Sequence, residues 1–174
     1  MKNLANSCLK YDITLIHIST DYVFDGEKEE PYTVDDIPNP INEYGKSKLL
    51  GEKYAQEILK KYFIVRTSWL YSEFGKNFYT TILKKARNRE NLEITANQIG
   101  CPTNANSLTM FILNNIIAKK SKFGIHHFTD GKAMTWYDFA KKILEKEGLT
   151  DKAELVKAAN YYTYAKRPIN SVLA

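Results

Sequence analysis

The sequence predicts an α/β protein built around a parallel β-sheet. Short apolar runs rich in β-branched residues, at 13–18 and 63–69, alternate with longer segments that have helical periodicity. The run at 13–18 is apolar at successive positions, which is typical of a strand buried on both faces of a parallel sheet. Strands that alternate with helices favour parallel βαβ units, so we expect an α/β fold.

Each predicted element rests on a local signal. The apolar face of residues 1–10 indicates a helix, and the proline-rich segment 25–40 indicates a polar loop. Ser107 and Thr135 are suitable N-cap residues for two later helices. In chain order, helices are predicted at 1–10, 42–61, 78–89, 107–119 and 135–147, and strands at 13–18, 63–69, 92–95 and 125–128.

Length and composition are those of one globular domain. The chain has 174 residues, of which 44% are hydrophobic and 26% are charged. No apolar run is long enough to cross a bilayer, and the first residues lack the apolar stretch of a signal peptide, so a cytoplasmic protein is expected. Cys8 and Cys101 lack metal-ligand spacing, and reduced thiols are the simpler interpretation, although a disulfide stays open.

The basic residues are spread along helical patterns rather than concentrated in one motif. The net charge of +5 arises mostly from scattered lysines. No zinc finger, RNA-binding aromatic motif or arginine-rich arm is present in the sequence, so nucleic acid is not an expected partner.

Tyr44 and Lys48 form the most informative local pattern. Four residues apart, they lie on one face if the segment is helical. A nearby ammonium favours the ionised form of a phenol and so makes it a better proton donor near neutral pH. Such a pair suits a reaction in which a carbonyl carbon receives hydride and its oxygen receives a proton.

Several strings resemble one known family. IHISTDYVFDG at 16–26 and YGKSKLLGE at 44–52 are the most specific, and RTSWLY, GKNF, NQIGCPT, WYDFA and RP follow at 66–71, 75–78, 97–103, 136–140 and 167–168. In this order they closely resemble the dTDP-4-dehydrorhamnose reductase family, within the extended short-chain dehydrogenase/reductase superfamily. The resemblance covers nearly the whole chain.

The resemblance implies a specific fold. It implies a Rossmann-like doubly wound parallel sheet, of which this chain would contain the C-terminal part, with a small substrate-binding α/β portion. Residues 1–90 would be the second half of that sheet, and residues 91–174 mostly the substrate-binding portion. The eight glycines form no Gly-x-Gly-x-x-Gly cluster. The chain is therefore expected to be an internal fragment, without the N-terminal nucleotide-binding segment and the extreme C-terminus.

The resemblance also implies an activity and its cofactors. NADPH or NADH would reduce the 4-keto group of dTDP-6-deoxy-L-lyxo-4-hexulose to give dTDP-L-rhamnose, which is used in cell-surface polysaccharides. The dTDP-sugar is the expected partner, with little activity in the fragment alone. Some family members form homodimers and use Mg²⁺ between subunits, but the sequence does not locate that site, and no metal ligands are assigned.

Site residues are transferred from the family motifs position by position. Tyr44 would protonate the forming alkoxide, Lys48 would increase the acidity of that phenol and hold the nicotinamide ribose, and Thr20 would hydrogen-bond the substrate oxygen. The cofactor would contact Tyr44, Lys48 and Ser19. The expected substrate contacts are Thr20, Asp21, Tyr22, Trp69 and Arg167.

Other conspicuous residues have simpler interpretations. Arg66 is expected to form a structural ion pair, and Trp136 and Phe139, three residues apart, are expected to pack a helix.

Two functional alternatives stay open. One is a sugar-nucleotide epimerase or dehydratase of the same superfamily, and the other is a non-catalytic regulatory subunit like those of methionine adenosyltransferase.

Overall fold

The computed structural model describes residues 1–119, 121–158 and 162–174. A short 3₁₀ turn at Asp21–Val23 follows the first strand, and a π-helix at Ile112–Ala118 continues α4. The α-helices are α1 (Lys2–Lys10), α2 (Glu43–Ile58), α3 (Phe78–Arg87), α4 (Ala105–Phe111) and α5 (Trp136–Lys146). The strands are β1 (Leu15–Thr20), β2 (Tyr62–Thr67), β3 (Leu70–Tyr71), β4 (Leu92–Ile94), β5 (Ile99–Gly100), β6 (Thr103–Asn104), β7 (Gly124–His127), β8 (Met134–Thr135) and β9 (Leu155–Lys157).

The largest sheet is parallel, as predicted. Its order is β1–β2–β7, and Thr20 is paired with Thr67 at the carboxyl end of the first two strands. Because parallel strands end at the same edge, the polar residues that follow β1 and β2 are brought together. The division at residue 90 stays a prediction, and the third strand, β7, comes from the second portion.

Both faces of this sheet are covered by helices. On one face, Ile64 of β2 packs with Ala5 of α1 and Ala55 of α2. On the other, Phe63 and Val65 pack with helical residues of the segment that begins at α4. The alternation of successive β2 side chains explains why this strand is apolar at neighbouring positions, and it confirms the doubly wound α/β fold.

A second apolar cluster lies between α3 and α5. Ile82 and Ala86 of α3 and Ile143 of α5 are buried in it, together with Leu92 of β4. The small parallel pair β4–β9 lies against it, with Leu92 paired to Leu155. The amphipathic patterns predicted at 78–89 and 135–147 therefore become the two helices of a smaller α/β portion.

Several predicted boundaries were wrong. Ser107 is not an N-cap, because α4 begins at Ala105 and the Asn104 side chain accepts the amide of Asn106 at 2.8 Å. Thr135 does cap α5, in a capping box with Asp138. The first strand reaches Thr20 rather than Ile18, since its pairing with β2 continues to that residue.

Within the described ranges, the helices are too short or too polar to pass through a lipid bilayer.

Candidate active site

Thr20 ends β1 and organises the turn that follows. Its Oγ1 accepts the backbone amide of Tyr22 at 3.2 Å, which caps the 3₁₀ turn at Asp21–Val23. The same hydroxyl donates to Oδ1 of Asp21 at 3.0 Å. Thr20 is 6% exposed as a whole residue, so both of these contacts lie inside the protein at the end of the strand.

Asp21 is a buried acid beside this hydroxyl. It is 2% exposed, and burial raises the pKa of its carboxyl to about 6, although the Ser171 and Thr20 hydroxyls favour the ionised form. Its Oδ2 makes no hydrogen bond of normal geometry to any residue in the described ranges. The sequence did not indicate Ser171, which lies in an aperiodic tail and reaches the site only through the tertiary fold.

Helix α2 places Tyr44 next to the turn after β1. Asn42 caps the helix by accepting the amide of Gly45 at 2.8 Å. A Cβ at position 45 would lie 2.1 Å from the carbonyl oxygen of Tyr22, so only glycine permits this approach. The rings of Tyr22 and Tyr44 then meet edge to face, with their centroids 5.8 Å apart.

Tyr44 is 55% exposed, and its phenol makes no hydrogen bond to Lys48 or Thr20 within the described ranges. Lys48, one turn later, donates from Nζ to the carbonyl oxygen of Ile18 in β1 at 2.6 Å. Burial lowers the pKa of the Lys48 ammonium, and the charge of Glu52 opposes that effect. The two motif residues therefore lie on the helix side that faces the end of β1, and the ammonium is anchored to that strand.

A buried ion pair supports the same corner of the fold. Arg66 of β2 binds Glu52 of α2, with Nη2 2.7 Å from Oε2 and Nε 3.0 Å from Oε1. The Ser19 hydroxyl donates to Oε1 of Glu52 as well. The structural ion pair expected for Arg66 is confirmed. Its acidic partner was missed, although an acid four residues after Lys48, directly after Leu49, Leu50 and Gly51, was the available signal.

Two neighbouring cavities open beside this corner. One, of about 590 Å³, is lined by Tyr22, Tyr44 and Arg167 among others. A larger one, of about 790 Å³, shares Lys166 and Arg167 with the first. The Asn42 amide donates to the carbonyl oxygen of Lys166 at 2.9 Å, which ties the segment with both cations to the start of α2.

Trp69 lies at the same edge of the sheet but in a different environment. It follows β2, has a positive φ of 47°, and stacks on Trp136 with their ring centroids 3.6 Å apart. A Cβ at Gly100 would lie 2.5 Å from its ring. Trp69 does not line either of the two cavities described above. Trp136 and Phe139 pack against the α3–α5 cluster or within it, as expected for helix packing.

This arrangement suits chemistry on a carbonyl group. A hydroxyl and an ammonium are held near the carboxyl end of β1, and a phenol lies on the adjoining helix against the turn that follows this strand. Open α/β sheets bind their ligands at this edge. Lys166 and Arg167 border both cavities, and an anionic group can bind on that side. Carboxylates also line them: Glu43 in the smaller cavity, and Asp25, Glu27 and Glu29 in the larger one.

The structure brings Tyr22, Tyr44 and Arg167 to one cavity. The other predicted site residues at this corner do not line it: Ser19, Thr20 and Asp21 are buried, and Lys48 binds the Ile18 carbonyl.

The model of one protein family, described as the RmlD substrate binding domain, matches residues 1–174. Among curated proteins, dTDP-4-dehydrorhamnose reductase of Aggregatibacter actinomycetemcomitans is 39% identical, over 98% of this chain and 61% of its own length. The enzyme of the same name from Escherichia coli K12 is 39% identical, over 98% and 60%. The chain thus spans about three fifths of the length of these relatives.

Solved structures show the same similarity. A dTDP-4-dehydrorhamnose reductase from Bacillus anthracis in complex with NADP superposes with a TM-score of 0.89 and 37% identity, over 99% of this chain and 59% of that one. An ortholog from Clostridium acetobutylicum gives a TM-score of 0.90 and 38% identity, over 99% and 61%.

Proposed function

The chain belongs to the RmlD substrate binding domain family, and we propose that it is the substrate-binding and acid–base part of a dTDP-4-dehydrorhamnose reductase. The reaction is reduction of the 4-keto group of dTDP-6-deoxy-L-lyxo-4-hexulose to dTDP-L-rhamnose. The single observation that supports this most is the contact between the first turn of α2 and the turn after β1. There the Gly45–Tyr22 approach brings the phenol-bearing helix to Thr20.

Tyr44 and Thr20 act on the ketone oxygen. Negative charge develops on that oxygen as the carbon is reduced, and a hydroxyl donor aimed at it stabilises the transition state more than the ground state. Tyr44 gives its phenolic proton to the oxygen as the alkoxide forms, as a general acid. Its 55% exposure leaves the phenol accessible to a ligand in the 590 Å³ cavity.

Lys48 keeps a positive charge behind the phenol. Its ammonium is fixed by the Ile18 carbonyl, and although burial lowers its pKa, the charge of Glu52 opposes that effect. A cation held there favours the phenolate that remains after proton transfer. The Ser19–Glu52–Arg66 network holds β1 and α2 together at this point, so it keeps Thr20 and Lys48 in register.

The donor set also fits the nicotinamide end of NADPH or NADH. An ammonium and a phenol on one helix, beside Ser19 at a strand end, can bind ribose hydroxyls and orient the ring. The cofactor, when bound, supplies hydride to the ketone carbon. No glycine-rich phosphate cradle occurs in the sequence, so these residues account for one end of the cofactor.

Arg167 and Lys166 are proposed to bind the diphosphate of the nucleotide sugar. They border both cavities, and a guanidinium can bind phosphate oxygens in a bidentate manner. Asp21, Tyr22 and Trp69 stay proposed substrate-site residues. For Trp69, the contact requires the ligand to extend beyond the Tyr44 cavity towards the end of β2.

The test measures oxidation of NADPH by the 4-keto sugar nucleotide, detected as a loss of absorbance of the reduced nicotinamide. It is done with this chain and with the chain joined to the part of the E. coli relative that lies outside the match. In the joined protein, Tyr44→Phe should lower the rate on the order of 10²–10⁴-fold. Tyr54→Phe, on the same helix, is the matched control.

Three results would overturn the proposal. They are an inactive joined protein, full activity in the Tyr44→Phe variant, or faster turnover of another nucleotide sugar than of the 4-keto-rhamnose precursor.

A further inference from the structure

The hydrogen bonds of the Thr20 hydroxyl conflict with the role proposed for it. A hydroxyl has one proton to donate and two lone pairs that accept. One lone pair accepts the Tyr22 amide at 3.2 Å, and the proton points to Oδ1 of Asp21 at 3.0 Å. While Asp21 is ionised, it can only accept, so the Thr20 proton is occupied. A ketone oxygen also only accepts, and it would find no donor there.

A neutral Asp21 resolves this conflict. A protonated carboxyl has an O–H, which can donate to the second lone pair of Thr20 and so release the Thr20 proton for the ketone. The surroundings suit the neutral form, because the carboxyl is 2% exposed and its Oδ2 has no hydrogen bond of normal geometry within the described ranges. An anionic oxygen without a hydrogen bond of normal geometry is costly in such a site, even though the Ser171 hydroxyl reduces that cost, whereas a neutral carboxyl is tolerated.

We propose that Asp21 is a positioning residue that must be protonated before Thr20 can donate to a ketone, so that binding of the ketone substrate is coupled to uptake of one proton. The proton comes from solvent, resides on Asp21, and is distinct from the one that Tyr44 transfers. This proposal rests on the function proposed above, since it takes the Thr20 hydroxyl as the donor to the substrate oxygen.

The groups around Asp21 allow this titration. The Cys101 thiol faces it from the β5–β6 loop, and both burial and the Asp21 charge raise the pKa of that thiol. Ser171 approaches from the C-terminal segment, and the Tyr44 phenol lies on α2 against Tyr22. Behind Ser19, the charges of Glu52 and Arg66 neutralise each other. The pKa of the Asp21 carboxyl, about 6, lies close enough to neutrality for a ligand to shift its protonation.

The substrate and the product differ in whether the oxygen at the reacting position can donate a hydrogen bond. The product has an alcohol at the reacting position, and an alcohol oxygen can donate to Thr20 as well as accept from it. When the alcohol binds, the Thr20 hydroxyl can therefore continue to donate its hydrogen bond to the ionised Asp21 carboxylate. Proton uptake is expected for the ketone and not for the alcohol, although the two ligands share the rest of their structure.

The experiment is titration calorimetry of both nucleotide sugars at about pH 7.5, in two buffers with different ionisation enthalpies. The dependence of the binding heat on the buffer gives the number of protons taken up. We expect nearly one proton for the ketone and almost none for dTDP-L-rhamnose. Above about pH 6 the affinity for the ketone should fall about tenfold per pH unit, while that for the alcohol stays level.

Two variants sharpen the result. In Asp21→Asn the amide NH₂ replaces the carboxyl O–H as the donor to Thr20, so the ketone should bind with no proton uptake and with an affinity independent of pH. Thr20→Val removes the hydroxyl. It should lower the affinity for the ketone and abolish the proton uptake that accompanies ketone binding. Equal proton uptake for the ketone and the alcohol, or ketone binding without proton uptake, would overturn this inference but leave the proposed function standing. No binding of the ketone by the joined protein removes the proposed function and this inference together.

Discussion

Replacing Glu52 with glutamine tests the buried ion pair that holds the candidate site together. Glu52 is fully buried and Arg66 is 2% exposed, with their nearest atoms 2.7 Å apart. Glutamine keeps the size and one acceptor oxygen of Glu52 but removes its charge. The Arg66 guanidinium then stays inside the protein without an anion, and its Nη1 already lacks a hydrogen bond within the described ranges.

The expected loss is about 3–5 kcal/mol of unfolding free energy, as found when one partner of a buried ion pair is removed. A typical domain is stable by about 5–15 kcal/mol, so the loss is a large fraction of the total. Urea unfolding followed by circular dichroism measures it as a lower midpoint at an unchanged slope.

Two controls separate charge burial from the substitution itself. Glu43 and Lys46 form an exposed pair on the same helix, with 89% and 57% of their side chains exposed, so Glu43→Gln should cost less than about 1 kcal/mol. Replacing both Glu52 and Arg66 with leucine and methionine removes both charges and should recover most of the lost stability. The reasoning is refuted if Glu52→Gln costs no more than Glu43→Gln, or if the double variant is no more stable than the single one.

Two further predictions concern packing and pH. Gly100→Ala places a Cβ 2.5 Å from the Trp69 ring, so it should lower the unfolding free energy by about 1–3 kcal/mol and shift the tryptophan emission. As a control, Gly51→Ala in α2 meets only ordinary contacts, the nearest at 3.5 Å, and should raise the unfolding free energy by about 0.5–1 kcal/mol. Burial raises the pKa of Asp21 from 3.8 to about 6, so ionisation in the folded state is penalised and stability falls as pH rises through this range. Asp21→Asn should therefore stabilise by up to about 3 kcal/mol at neutral pH and little near pH 4, and urea midpoints that differ equally at both pH values would contradict this.

The sheet was predictable because its signals are local. The run at 63–69 is apolar at neighbouring positions because Ile64 faces α1 and α2 while Phe63 and Val65 face the opposite helices. The N-cap of α5 was likewise visible in the sequence at Thr135, whereas the capping box with Asp138 came only from the structure. The two-residue strands β5 and β8 were not, since segments so short pair only where the surrounding fold holds them together.

The supporting residues of the site could not be predicted in the same way. Glu52 is bound by Arg66, 14 residues later, and by Ser19, 33 residues earlier, and no periodicity links these three positions. Tyr44 and Lys48 stood out because their chemistry lies within a single helical turn. The hydrogen bond that Thr20 donates goes to Asp21, whose burial is a property of the assembled fold that the motif alone does not contain.

The long-range contacts of the C-terminal segment set an order of assembly. The Asn170 side chain donates to the carbonyl of Lys28, 142 residues earlier, and the amide of Ser171 donates to Ile99. During synthesis on a ribosome, β1, α2 and β2 emerge long before these partners exist, and closing so large a loop is slow. The environment of Asp21 is therefore completed only after Ser171 has emerged, so a nascent chain would contain the sheet before it contained a finished pocket.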